Sequence, residues 1–185
     1  MSNVRILGFF IFVLSIISAS IASAQNKQPS FEQYPVNKQF NNSPAAVDLK
    51  SAKGASRFRT VLREGAKKGP NFAGHYTIIE WGCGSSCTSV ALVDAMTGRV
   101  VFPDEIAPLF FPGLPEGESL MEKYSLDYKK DSNLLIIHGI PSRKDKVGSY
   151  YYRWNEKDRK FNLISSEVWD SKFNTEKKVY NQRVE

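Results

Sequence analysis

The side chains best suited to hold a metal or do redox chemistry are few: the cysteines Cys83 and Cys87 and the histidines His75 and His138. Thiolate sulfur and neutral imidazole nitrogen suit zinc or a copper ion, so His75, Cys83, Cys87 and His138 form a candidate Cys2His2 set. The competing chemistry for the cysteines is a disulfide. With three residues between them it closes a very small loop, whose use is to lock local shape at a strand end. The two readings exclude each other, because oxidation removes both thiolates. A redox-active pair conventionally has two intervening residues in a βαβ setting, and neither is present here.

Hydrolytic chemistry is harder to assemble. His75 and Glu80 fall on opposite faces of a regular strand and cannot act together. Ser85 and Ser86 lie in the cysteine loop near backbone amides, as an acyl-transfer nucleophile would. No G-x-S-x-G elbow accompanies them, and serines suit tight turns. Asp127 and Asp131 flank a turn and read as turn formers. P-loop, dinucleotide and EF-hand patterns are absent from the sequence, and no catalytic residue is assigned.

Aromatic side chains offer a binding alternative. Tyr150, Tyr152 and Trp154 share one strand face, with Tyr151 and Arg153 on the other. Tyrosine, tryptophan and arginine anchor interfaces, so the five form a candidate surface for a protein partner or a sugar. The apolar patch Leu109-Phe110-Phe111 would extend it.

The elements that must position these residues follow from periodicity. Residues 25–54 are polar and without period, and read as an extended, partly disordered leader. A helix is expected from Ser56, which can cap it, with Phe58, Val61 and Leu62 on one face; Gly65 and then Gly69-Pro70 stop it. Beyond Pro70 the period becomes two. Strands are expected over Tyr76–Trp81, Ser89–Asp94, Arg99–Phe102, Tyr124–Tyr128, Leu134–His138, Tyr150–Trp154 and Phe161–Ile164. In the first strand His75, Thr77, Ile79 and Trp81 face one way, and Tyr76, Ile78 and Glu80 the other. Asp94 to Gly98 is turn chemistry. Pro103 to Gly117 holds four prolines and reads as a long irregular connection. The tail after Trp169 is polar and lysine-rich. The expected fold is therefore α+β: an antiparallel meander of about seven strands with one N-terminal helix, forming a single domain over residues 55–185.

Composition and targeting signals frame the whole. Arg5, an apolar stretch from Ile6 to Ile17 and an Ala22-Ser23-Ala24 ending are the parts of a secretory signal over residues 1–24, cleaved between Ala24 and Gln25. Serines interrupt the apolar stretch from Ser15 onward, which argues against a membrane anchor, so no integral membrane segment is expected after cleavage. The signal carries one basic and no acidic residue, so its removal lowers the formal charge from +6 to +5 and leaves 161 of the 185 residues. That modest excess suits contact with an anionic envelope surface. No long basic run with interleaved aromatics points to nucleic acid. In an oxidising compartment Cys83 and Cys87 are expected to form a disulfide.

The stretch from about Ala55 to Gly98 resembles a family of small exported bacterial proteins of unknown function. The resemblance rests on Gly69-Pro70-Asn71-Phe72-Ala73-Gly74-His75-Tyr76, on Trp81-Gly82-Cys83-Gly84 with Cys87, and on Val93-Asp94-Ala95-Met96-Thr97-Gly98-Arg99-Val100. Phe58 to Gly65 resembles that family's lead-in. The resemblance implies a bacterial periplasmic or extracellular setting and makes the cysteine loop a hallmark; it names no substrate. Together these readings predict an exported, non-enzymatic binding or inhibitor-type module with no cofactor, whose partner is an envelope component or protein. The alternative is a zinc- or copper-binding protein.

Overall fold

A computed structural model describes residues 28–111 and 125–169. The signal segment with its Ala24–Gln25 cleavage point, the prolines Pro112 and Pro115, Tyr124 and the tail beyond Trp169 lie outside the described residues. No helix among the described residues is long and apolar enough to cross a membrane.

The described residues are mostly β, with one short α-helix. Strand β1 (Tyr76–Gly84) turns at Ser85 and Ser86 into β2 (Cys87–Asp94), pairing from Tyr76↔Asp94 to Gly84↔Cys87. Two short strands then join β2 at opposite ends. β3 (Val100–Val101) pairs with Leu92 and Val93, and β4 (Leu109–Phe110) pairs with Thr88 and Cys87. The second sheet runs in chain order: β5 (Ser125–Tyr128), β6 (Leu134–Gly139), β7 (Gly148–Asn155) and β8 (Lys160–Val168). Among the described residues the expected meander of about seven strands is corrected to eight strands in two four-stranded antiparallel sheets. The extra strand, β4, is two residues long and sits among prolines, where no alternation can show.

The two sheets pack face to face. Tyr76, Ile78, Val90 and Leu92 meet Leu135, Ile137, Tyr150, Tyr152 and Trp154 in one buried cluster, with Phe72 wedged among them. On the other face of the first sheet, Ile79, Ala91 and Val93 pack against Leu62 and Ala66 of the helix α1 (Arg59–Ala66). The expected division of β1 between Tyr76/Ile78 and Ile79/Trp81 therefore matches two different layers. The helix differs in detail. A 3-10 turn over Ala55–Phe58 precedes it, entered through the left-handed Gly54 instead of a Ser56 cap. Gly65 lies within α1, where Ile79 packs so close that a Cβ would collide with it.

The leader from Gln28 onward is largely extended and is hydrogen-bonded to the rest of the domain. Val36 N–H donates to the Asp131 carbonyl (3.0 Å), Phe40 N–H to that of Gly74 (2.8 Å) and Asp48 N–H to that of Gly98 (2.8 Å). The buried Ser132 hydroxyl binds the carbonyls of Phe31 and Tyr34. Polar segments order when their backbone groups find such partners.

Candidate functional site

Cys83 and Cys87 are joined as a disulfide with Cα atoms 5.2 Å apart, at the tip of the β1–β2 hairpin. A register shift between Gly82 and Gly84, with Gly84 at φ +140°, makes room for the crosslink. Ser85 and Ser86 are exposed turn residues there; the Ser86 carbonyl accepts from Phe111 N–H at 2.9 Å. A crosslinked pair suits an oxidising compartment.

The histidines sit in separate surroundings. His75 follows the Asn71–Gly74 turn, its Nε2 lying 3.5 Å from Glu156 Oε1 and 3.9 Å from Asp94 Oδ1. His138, on β6, has Nδ1 3.0 Å from Ser149 Oγ and Nε2 3.3 Å from Asp127 Oδ2, and it stacks on Trp169. The proposed four-ligand set is therefore not brought together: the sulfurs bond each other and each imidazole has its own neighbours. Among the described residues no group of three or more His, Cys, Asp or Glu is arranged to hold a metal ion.

The five candidate surface residues on β7 are mostly buried. Tyr150, Tyr152 and Trp154 fill the space between the sheets, and Tyr151 on the opposite face is only 4% exposed. Only Arg153 of the five is exposed. Aromatics on both faces of the strand meant burial on both faces. Burial also pushes the phenols of Tyr150, Tyr151 and Tyr152 upward.

An exposed aromatic and basic surface does exist, built from other residues. An eight-residue helix is about 12 Å long, whereas a nine-residue strand extends about 30 Å, so α1 cannot cover the whole of β1. At the uncovered end Trp81 stands half-buried, its ring 4.9 Å from that of Phe58 and 6.4 Å from that of Phe102. Phe58 and Phe102 lie edge to face at 6.0 Å. The trio lines a cleft of about 350 Å³ whose rim carries Lys53, Arg57, Ser89 and Asp104. Asp104 is engaged by Arg143 at 2.6 Å, while Lys53 and Arg57 are exposed and form no ion pair among the described residues. Sequence reasoning missed this site because Phe58 and Trp81 carry the periodicity of core positions. The available signal was that the helix is too short for the strand.

On the other side of β1, Glu80 Oε1 accepts a hydrogen bond from the Tyr128 hydroxyl at 3.1 Å. Partial burial, with Asp127 nearby, holds the Glu80 carboxyl above its ordinary range. Burial, reinforced by Glu80, pushes the Tyr128 phenol up to about 12.

Two packed antiparallel sheets, a helix on one face and an open aromatic cleft beside a crosslinked hairpin tip define a small β domain with a ligand-sized surface site. Comparison with protein-family models, with curated proteins and with solved structures gives no match for this chain.

Proposed function

We propose that this chain is an exported binding module that presents the Phe58–Trp81–Phe102 cleft to an anionic component of the bacterial envelope. The observation that carries the reading is the trio of touching, partly exposed rings beside two cations that have no ion pair among the described residues. Solvent-exposed aromatic clusters of this kind are apolar surface awaiting a partner. Flat rings take an apolar or sugar-ring face, and Arg57 with Lys53 supplies charge for a carboxylate or phosphate. The net charge, +6 for the whole chain and +5 without the signal, works in the same direction over longer range. Export is supported by the secretory features of residues 1–24 and by the crosslinked cysteines.

The test is isothermal titration of the purified mature chain with soluble peptidoglycan fragments bearing free carboxylates. Trp81→Ala and Arg57→Ala are each expected to weaken binding about tenfold, the scale of one lost aromatic or charge-assisted contact. Binding should also weaken as salt is raised. Wild-type affinity in both variants would overturn the assignment.

A further inference from the structure

We infer that the leader and the Asn71–Tyr76 turn build a second binding site, for a neutral hydroxyl-rich ligand of the saccharide class. Its cleft shares no lining residue with the aromatic one and has a volume of about 660 Å³. That lies within the range of small-molecule sites.

The walls are held firmly. Asn71 binds the edge of β1 with its side chain, accepting from Ile78 N–H at 2.7 Å and donating to the Ile78 carbonyl at 3.1 Å. Phe72 is fully buried, and Ala73 and Gly74 both have positive φ, so the chain reverses tightly and projects His75 into the cleft. Gly74 lets the Lys38 carbonyl approach so closely that any Cβ would collide with it. The opposite wall, residues 36–42, is thereby fixed against the domain.

The polar groups are of a particular kind. Glu156 is an exposed carboxylate with both oxygens gripped from below by buried aromatics. The Tyr76 hydroxyl donates to Oε1 at 2.8 Å and the Trp154 indole N–H to Oε2 at 3.0 Å. An exposed glutamate ordinarily samples many rotamers; this one is preorganised, 3.5 Å from His75 Nε2. Each oxygen keeps acceptor capacity for an incoming O–H. The facing wall contributes the side-chain amides of Asn37, Gln39 and Asn42, none with a hydrogen-bond partner among the described residues. Phe40 and Met96 supply apolar surface.

This combination selects its ligand by exclusion. Glu156 and Lys38 line the cleft with one charge of each sign, so neither an anion nor a cation is favoured as ligand. The amides would be left desolvated by an apolar molecule. A saccharide satisfies all the groups at once: its hydroxyls donate to the carboxylate and to amide oxygens, accept from amide N–H groups, and its C–H face covers Phe40 and Met96.

The experiment is titration of the mature chain with a panel of neutral oligosaccharides, namely chito-, cello-, xylo- and malto-oligosaccharides, followed by calorimetry. At least one is expected to bind with a dissociation constant below about 10 mM. Glu156→Gln and the double variant Asn37→Ala/Gln39→Ala, both altering exposed side chains, are each expected to weaken it about tenfold or more. Trp81→Ala is expected to leave it unchanged. Three results would overturn the inference: no neutral oligosaccharide binding in that range, binding that survives both variants, or binding lost in Trp81→Ala. The last would assign the sugar to the aromatic cleft instead, and the anionic-ligand reading stands or falls separately on its own titration.

Discussion

Gly54 and Gly74 have nearly the same backbone conformation, φ +85° and φ +81°, but different surroundings. An alanine at either position carries the left-handed cost of an L-residue, about 1–2 kcal/mol. At Gly54 the added methyl meets nothing within 4 Å, so that cost is the whole effect. At Gly74 it meets the Lys38 carbonyl oxygen, a backbone atom that cannot rotate away, so the leader must move. The displacement strains two hydrogen bonds, Phe40 N–H to the Gly74 carbonyl (2.8 Å) and Gly74 N–H to the Lys130 carbonyl (2.7 Å). Each is worth about 0.5–1.5 kcal/mol. Gly74→Ala is therefore expected to destabilise by about 2–5 kcal/mol, against about 1–2 kcal/mol for Gly54→Ala. At about 2–4 °C per kcal/mol for a chain of this size, the two melting temperatures separate by roughly 2–12 °C. Thermal and urea unfolding followed by circular dichroism measures both. A Gly74→Ala variant as stable as Gly54→Ala would show that the leader is not held against the turn, and the saccharide cleft would lose one wall.

Two further predictions follow from titrating groups. The Glu80 carboxyl is raised in the folded state, so the native protein binds that proton more tightly than the unfolded chain, and stability from this group falls as pH rises through the carboxylate range. Glu80→Gln, whose amide oxygen still accepts from Tyr128, should gain on wild type in urea unfolding at about pH 7 and lose that advantage near pH 3.5. An advantage that is absent, or larger in acid, would refute the desolvation argument. The phenols of Tyr76, Tyr128 and Tyr152 are also raised by burial, Tyr128 to about 12. Unfolded tyrosines ionise near about pH 10, so stability should fall above that pH, with these phenols ionising only as the fold is lost. Smooth titration of every tyrosine near pH 10, with native far-ultraviolet dichroism retained, would contradict their placement.

Local periodicity carried most of the strand reading. The faces of β1, the positions of the strand segments that became β5 to β8 and the turn at Asp94 to Gly98 follow from alternation and turn chemistry, and each is local information. What periodicity could not supply was what lies across from a face. Tyr151 looked free because its neighbours Tyr150 and Tyr152 point inward, yet it is buried on its own side. Trp81 looked like core because it continues the Thr77/Ile79 face, yet the helix ends short of it. Glu156 was one of several polar residues in the Asn155–Lys160 turn. Its grip by Tyr76 joins residues 80 apart in sequence, a relation that no single-strand pattern encodes. His75 was singled out by its type, but its neighbours, Asp94 and Glu156, emerge only from the strand pairing and the packing of the sheets.

The hydrogen bonds that anchor the leader also bear on how the chain matures. Ser132 binds carbonyls 101 and 98 residues earlier, and Asn133 reaches Pro35 across 98 residues. A polypeptide is made and delivered from its N-terminus, so the leader appears first while its partners appear only after the β1–β2 hairpin and β5 have passed. The earliest segment is thus among the last to settle, and closing so long a loop is a late, slow kind of contact. The groove that it walls off is complete only in a chain that has delivered Glu156. Fragments ending before Asp131 would keep the leader's bonds to Gly74 and Gly98 but would lack those that Asp131, Ser132 and Asn133 make to residues 31–36.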